Sequence, residues 1–253
     1  MSNIKLIYSE KEVKKFFDLV LPDLTRDEVY FLSLSARNKY LSAEEREKTG
    51  LSRTEMFART IIRKRDFDYF IRKIKRLECD ETGYITKKNI SIPNSTMVVY
   101  ININPSSMVK AYNKFTNEVN SQLIEFISTP KADHQTKYDY FSRLDLKLLK
   151  FVQNTPGTKH YLDIDFDVDK DSEFWALEEY IMFLKKNNIT YHVIETKSGF
   201  HVLMKRDTIK CNFHPVLQKL NQGVKDEIIL NNNSMIPLCG TFGGGFKVRL
   251  LDK

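Results

Sequence analysis

His160-Tyr-Leu-Asp-Ile-Asp-Phe-Asp-Val-Asp169 is the stretch on which the fold turns. Leu162, Ile164, Phe166 and Val168 alternate with Tyr161, Asp163, Asp165 and Asp167. Strand side chains point to opposite faces in turn, so the apolar set lies on one face and the carboxylates on the other. The same alternation also describes a solvated edge strand with acidic decoration. A strand inside a core needs something to neutralise such acids. A hard divalent cation, Mg²⁺ or Mn²⁺, does so with carboxylate oxygens and keeps positions for phosphates.

The pattern around this strand reads as alternating helices and strands. A short helix near 138–152 precedes it. Ser172 is placed to cap a helix over 173–186 that buries Phe174, Leu177, Ile181 and Leu184. Thr190–Thr196 reads as a strand, Lys197-Ser-Gly199 as a turn and Phe200–Lys205 as the returning strand. A weaker helical pattern covers His214 to about Ile228, and two short strands near 235–241 and 246–251 flank Gly243-Gly-Gly245. The order β-α-β-β-α-β-β points to an antiparallel or mixed sheet with helices on one face, as in RRM-like folds.

In the first half, residues 10–20 read as a helix with Val13, Phe16, Phe17 and Val20 on one face, and Val29–Ser35 as a strand. A long helical pattern runs from about Arg53 to Leu77, its apolar positions Phe57, Ile61, Ile62, Phe70, Ile71 and Ile74 following the helical period. It carries a basic series that includes Arg63, Lys64 and Arg72. Thr96–Ile103 is a strand, Ser107 caps a helix reaching about Ile127, and Ser128–Lys137 is the connection between halves.

With 253 residues and 42% hydrophobic content, the chain can bury a sizeable core. Forty Lys and Arg against thirty-three Asp and Glu give a formal charge of +7, which suits a nucleotide or nucleic-acid partner. No run approaches a membrane span. The start, Met-Ser-Asn-Ile-Lys, leads into a charged amphipathic stretch and not the apolar core of a secretory signal. Cys79, Cys211 and Cys239 are odd in number and widely spaced, which argues against a disulfide framework and points to a reducing, intracellular setting. Cys211-Asn-Phe-His214 has ligand-like spacing, but no second pair accompanies it to complete a four-ligand zinc site.

Three features with chemical content fall in the second half. Asp163 and Asp165 share a strand face with Cα atoms roughly 6.5–7 Å apart, a span suited to a metal pair about 3.5–4 Å apart. Ser198-Gly-Phe-His201 sits at a hairpin tip and offers a hydroxyl, a backbone that a ligand can approach closely at Gly199, and an imidazole. Pro237-Leu-Cys-Gly-Thr-Phe-Gly-Gly-Gly-Phe-Lys-Val-Arg249 is a glycine-rich bend able to aim N–H groups at an anion, followed by Lys247 and Arg249 on one strand face.

In this order the three resemble the catalytic core of the archaeo-eukaryotic primase superfamily, which includes primase small subunits and many viral and plasmid primase-polymerases. Asp163-Ile-Asp165 matches its acid-x-acid strand, Ser198-Gly-Phe-His201 its Ser-x-His type motif, and Leu238-Cys-Gly-Thr-Phe-Gly-Gly the bend before its last strand. The resemblance covers roughly residues 158–252. It implies an α+β fold, with an RRM-like catalytic module (131–253) packed against an N-terminal α/β module with a basic helix (1–130), or both as one compact unit. It further implies Mg²⁺ or Mn²⁺ on Asp163 and Asp165, with Asp167 as a substitute ligand, and His201 in the catalytic set. Ser198, His201 and Arg249 are expected to hold the incoming nucleoside triphosphate, with Lys197, Thr241 and Lys247 beside them. Arg37, Lys39, Arg63, Lys64 and Arg72 are expected to contact phosphates or the single-stranded DNA template. The implied setting is intracellular replication, virus- or plasmid-encoded, with a helicase or other replication protein as partner and no membrane.

Cys239 stands where proline is frequent in that bend, and one further departure matters. The family's third carboxylate precedes the final bend, where this chain has Asn231, and the nearest upstream acid, Asp226, falls in the helical stretch. Three other functions compete: a non-catalytic or degenerate nucleotide- or nucleic-acid-binding replication accessory protein, an acid-x-acid glycosyltransferase, and a two-metal nuclease. The glycosyltransferase lacks the Rossmann-like array such enzymes place first. A bare nucleic-acid platform presents aromatics and not carboxylates on its open sheet face.

Overall fold

The acidic strand lies inside a sheet and not at its edge. A computed structural model describes residues 3–251 apart from 5, 7, 52, 81–91, 129–133 and 232–234. Its elements are β1 (Asn3–Ile4), α1 (Glu10–Leu19), β2 (Glu28–Arg37), α2 (Ala43–Thr49), β3 (Thr54–Ile62), α3 (Phe67–Lys75), β4 (Cys79–Asp80), β5 (Met97–Asn102), β6 (Ser106–Ser107) and α4 (Met108–Ser128). There follow α5 (His134–Phe141), α6 (Leu144–Gln153), β7 (Tyr161–Phe166), α7 (Phe174–Lys186), β8 (Tyr191–Thr196), β9 (Gly199–Lys205), α8 (His214–Asn221), β10 (Ile228–Asn231), β11 (Met235–Pro237), β12 (Phe242–Gly243), β13 (Phe246–Lys247) and β14 (Arg249–Leu251). The fold is α+β, with antiparallel sheets.

Two sheets carry the architecture. One has the order β10-β7-β9-β8-β14 and the other β11-β5-β2-β3, with β6 also pairing β2. In the first, Ile164, Phe166 and Val168 of β7 pack with Ala176, Leu177, Tyr180 and Leu184 of α7 and Leu217 and Leu220 of α8. The opposite face sends Tyr161, Ile194 and Leu203 into an apolar cluster shared with Leu32, Leu34 and Ile101 of the second sheet and with Phe16, Phe17, Phe70 and Ile74 of α1 and α3. Burial of each such side chain contributes about 1.5–3 kcal/mol, so this shared cluster fixes the acid face of β7 toward the other sheet.

Alternation along β2 sets the rest of the site. Tyr30, Leu32, Leu34 and Ala36 enter the shared cluster, whereas Val29 and Phe31 lie with Ala111 of α4 and Val152 of α6. Ser33, Ser35 and Arg37 continue that second face beyond the helices.

Several sequence expectations are corrected. The long basic helix over 53–77 does not exist: Thr54–Ile62 is β3, paired antiparallel with β2, and only Phe67–Lys75 is helical, capped by the Asp66 side chain accepting from the Tyr69 N–H. The apolar positions of 57–62 fit either period. The β-branched run Thr60-Ile-Ile62 and the unpaired edge of β2 decide for strand. The helix over 138–152 is two, α5 and α6, and residues 129–133 of the expected connection lie outside the described residues. Ser172 is not the cap of α7. That helix starts after Glu173, whose carboxylate accepts from the Asp169 and Lys225 N–H groups. The helix from His214 stops at Asn221, because the Asn221 amide bonds both the N–H and the C=O of Ile228 and ties the helix end to β10. The expected strand over 235–241 is only Met235–Pro237, and it pairs with β5 of the other sheet.

Gly199 opens β9 with φ +154°, and a Cβ there would sit 1.9 Å from the carbonyl oxygen of Phe166. The close approach that needs glycine is therefore to the protein's own β7 and not to a ligand. Gly199→Ala is expected to separate β9 from β7 and to cost more than about 2 kcal/mol, measured as a lowered urea midpoint with an unchanged slope.

Candidate functional site

A cavity of about 360 Å³ lies where the open faces of the two sheets meet. Its acidic wall comes from β7 and the residue beyond it, Asp165 and Asp167, with Ser198 and His201 from the β8–β9 hairpin and Asn231 from β10. The opposing wall is Ser33, Ser35 and Arg37 of β2 with Tyr100 of β5, and Lys39 and Tyr40 follow at its rim.

Register explains the inner cluster. Asp165 lies opposite His201 across β7 and β9, and Asp163 opposite Asn231 across β7 and β10. His201 Nδ1 is 3.1 Å from both oxygens of Asp163, and Asn231 Nδ2 donates to Asp163 Oδ2 at 2.8 Å. Asp163 is 1% exposed, so both of its oxygens serve neighbouring side chains and not solvent. Burial alone lowers the pKa of His201, but the charge and hydrogen bond of Asp163, with Asp165 and Asp167, raise it from 6.5 to about 9. The imidazole is thus a cation at neutral pH, with Nε2 as its remaining donor.

Asp165 is in the opposite condition. Burial raises its pKa; His201, at 3.8 Å, lowers it, and Asp163 and Asp167 raise it again. It is a carboxylate short of positive charge.

The facing wall is basic. Arg37 Nη1 donates to the Tyr100 hydroxyl at 2.5 Å, and Arg37 Nε is buried without a partner. Lys39 Nζ donates to Ser198 Oγ at 2.6 Å, linking the two walls. Desolvation and the neighbouring Arg37 lower the pKa of Lys39, while Asp167 and Asp165 oppose this. Asp163, Asp165, Asp167, Ser198, His201, Arg37 and Lys39 therefore come together, as far apart as they are in sequence.

Other expected site residues do not line this cavity. Thr241 is buried and its Oγ1 donates to the Leu238 carbonyl at 2.6 Å. Lys247 pairs with Glu12 at 2.7 Å, and Arg249 with Glu195 at 2.7 Å. Lys197 borders an adjoining groove with Asp167 and Ser198, its Nζ donating to the Gly244 carbonyl at 2.7 Å. Arg63 and Lys64 are exposed after β3, and Arg72 and Lys64 both lie over the Tyr69 ring. The glycine-rich bend is not an anion cradle over Leu238–Thr241: the N–H groups of Leu238, Gly240 and Thr241 already donate to Val99, Val248 and Leu238. Beyond it, Gly244 and Gly245 have φ of +61° and +77°, the two-residue turn that the β12–β13 hairpin requires.

Sequence reasoning overlooked Tyr40, Tyr100, Ser33 and Ser35. A signal existed for the serines: Val29-Tyr-Phe-Leu-Ser-Leu-Ser35 is an apolar strand interrupted by hydroxyls at alternate positions on one face.

Among the described residues, no group of three or more His, Cys, Asp and Glu side chains is arranged to hold a metal, and this includes the surroundings of Cys211 and His214. The donor set at the cavity is Asp165 and Asp167, since Asp163 is engaged by His201 and Asn231. It does not fit an all-protein cage. It does fit a Mg²⁺ or Mn²⁺ ion that arrives with phosphate oxygens, because such ions take one or two carboxylates and keep the remaining positions for substrate and water. The charge on Asp165, offset only in part by His201 and Lys39, is what such a cation would relieve.

Compared with known proteins, the chain matches no family model, no curated protein and no solved structure. Among the described residues no helix is long and apolar enough to cross a membrane.

Proposed function

We propose that the chain is a metal-dependent, template-directed nucleotidyltransferase of the primase-polymerase type, making or extending RNA or DNA on a single-stranded template. One observation carries this reading: Asp165 and Asp167 face Arg37 and Lys39 across a single cavity, with the cationic His201 beside them. Opposed acids and bases around a space of nucleotide scale suit a metal-bound triphosphate. The RRM-like reading of residues 161–231 draws support from the strand order β10-β7-β9-β8 with α7 and α8 as the intervening helices.

In this reading Arg37, Lys39 and the His201 imidazolium neutralise the phosphates, and Ser198 hydrogen-bonds them from the hairpin tip. Asp163 holds His201 in orientation and keeps it charged. Asp165 and Asp167 hold the divalent cation, which supplies an acidified 3′-hydroxyl and charge relief at the leaving pyrophosphate. The single-stranded template, a helicase or other replication partner, and an intracellular, virus- or plasmid-borne setting belong to the same proposal.

A second reading is favoured by Asn231. A neutral amide stands where a third carboxylate is expected, and it consumes a lone pair of Asp163. Such a site suits a degenerate accessory protein that binds nucleotide without incorporating it. Incubation with single-stranded template, Mn²⁺ or Mg²⁺, and labelled NTPs or dNTPs, with and without primer, separates the two. Labelled oligomers are the expected result. Triphosphate binding without product establishes the accessory reading, and absence of binding overturns both.

A further inference from the structure

Ser33 is 1% exposed and Ser35 2%, yet both line the cavity. No side-chain hydrogen bond joins either hydroxyl to another described residue, and Arg37 follows two residues further along the same strand face. The two hydroxyls reach the open space of the cavity and are not sealed in the core, so two unspent hydrogen-bonding groups in a row on one strand face mark a surface shaped for a polar ligand.

From this we infer that the β2 wall binds the ribose hydroxyls of the nucleoside triphosphate, so that the substrate is a ribonucleotide and not a deoxyribonucleotide. This rests on the nucleotidyltransferase reading and deepens it. The phosphates have their own partners at the rim, since Lys39, Ser198 and His201 flank the acids and all carry donors. The base edge is an unsuitable partner for fixed protein groups in a template-directed enzyme, because each base presents a different donor and acceptor pattern and the template must choose among them. The sugar is the remaining polar part, common to all four substrates. Serine hydroxyls rotate to donate or accept, as sugar hydroxyls do, and two of them at i and i+2 on one strand face span roughly 6.5–7 Å between Cα atoms. Their small side chains leave room for a 2′-hydroxyl where a bulky residue excludes it. Tyr100, bonded to Arg37 and directly opposite Ser33 in the β2–β5 register, closes the side of this surface.

The test is equilibrium binding of ATP and dATP with Mn²⁺ present, to wild type, Ser33→Ala, Ser35→Ala and the double variant, with thermal melting of each as a fold control. Wild type is expected to hold ATP about tenfold or more tighter than dATP, the penalty for leaving a buried hydroxyl unpaired. The double variant is expected to bring the ratio near one by weakening ATP alone, with melting unchanged because the hydroxyls removed have no protein partner. If wild type binds both equally, or the variants keep the wild-type ratio, the ribose assignment is overturned while the nucleotidyltransferase reading stands. If neither triphosphate binds, both fall. Should a serine variant melt early, wild type with 2′-deoxy- and 3′-deoxy-ATP supplies the same comparison from the ligand side, and equal affinity for all three overturns the assignment.

Discussion

Asp165→Asn is expected to abolish metal-dependent nucleotide incorporation, by about a thousandfold or more, while the protein becomes more stable at neutral pH. Asparagine preserves the shape of the side chain and removes the charge that a cation must find. The stability half follows from the pKa. Burial and the neighbouring carboxylates of Asp163 and Asp167 raise the Asp165 pKa above its ordinary value, so its ionised form is held in the folded state at a cost. A carboxyl whose folded pKa is raised destabilises the fold above that pKa and ceases to do so as the pH falls through it. The gain from Asp165→Asn should therefore be largest at pH 7 to 8 and shrink toward pH 4, read from urea midpoints in EDTA. A loss of function that accompanies a gain in stability is the signature of a charge kept for chemistry. Continued incorporation by the variant sinks the nucleotidyltransferase proposal. A variant less stable than wild type at pH 7 means Asp165 is a structural partner of His201.

The acidic face of β7 was legible in the sequence because a strand's two-residue period is short-range, and four residues on each face suffice to fix it. The Ser198–His201 hairpin tip was legible for the same reason, since turn chemistry is local. What was not legible depends on partners far along the chain. Residues 54–62 took a helical pattern until β2 offered an edge to pair with. Residues 228–231 form β10 only because β7 presents its other edge, and that pairing sets Asn231 against Asp163. Where a charge finds its partner depends on the same thing. Arg249 and Lys247 sit in a basic stretch beside the bend, but a cation goes to the acid nearest in space: Glu195, opposite Arg249 in the β8–β14 register, and Glu12 on α1. Arg37 ends a buried strand and Lys39 follows it, and only the packing of that strand's sheet against the other carries them to the acids. Composition cannot separate a structural lysine from one that holds a phosphate. The fold that surrounds it can.

Asp163→Ala is expected to lower stability at neutral pH by about 3–5 kcal/mol, the range seen when one member of a buried charge pair is removed, even though Asp163 and Asp165 are neighbours on one strand face. Asp163 is closed off from solvent and holds the imidazolium of His201 through both of its oxygens while accepting from Asn231. Truncation leaves His201 to give up its proton or stay charged with only the more distant Asp165, at 3.8 Å, and it removes an acceptor of the Asn231 amide. The pH dependence identifies the cause. His201 has a folded pKa of about 9 against an ordinary 6.5, so the stabilisation it draws from Asp163 is fully present below about pH 6.5 and is lost as the pH rises through 9. Wild type in EDTA should lose stability across that window. Asp163→Ala should be weaker at pH 6 and nearly flat above it, the two curves converging toward pH 9.5. Asp163→Asn, which keeps an acceptor but no charge, should fall between them. If Asp163→Ala unfolds alongside wild type at pH 6 to 7, the carboxylate does not hold His201 in the charged form, and the imidazole loses its place among the phosphate-neutralising groups. The opposite signs predicted for two acids two residues apart follow from a single difference: Asp163 has its cation built into the protein, whereas in the proposed function Asp165 receives one with the substrate.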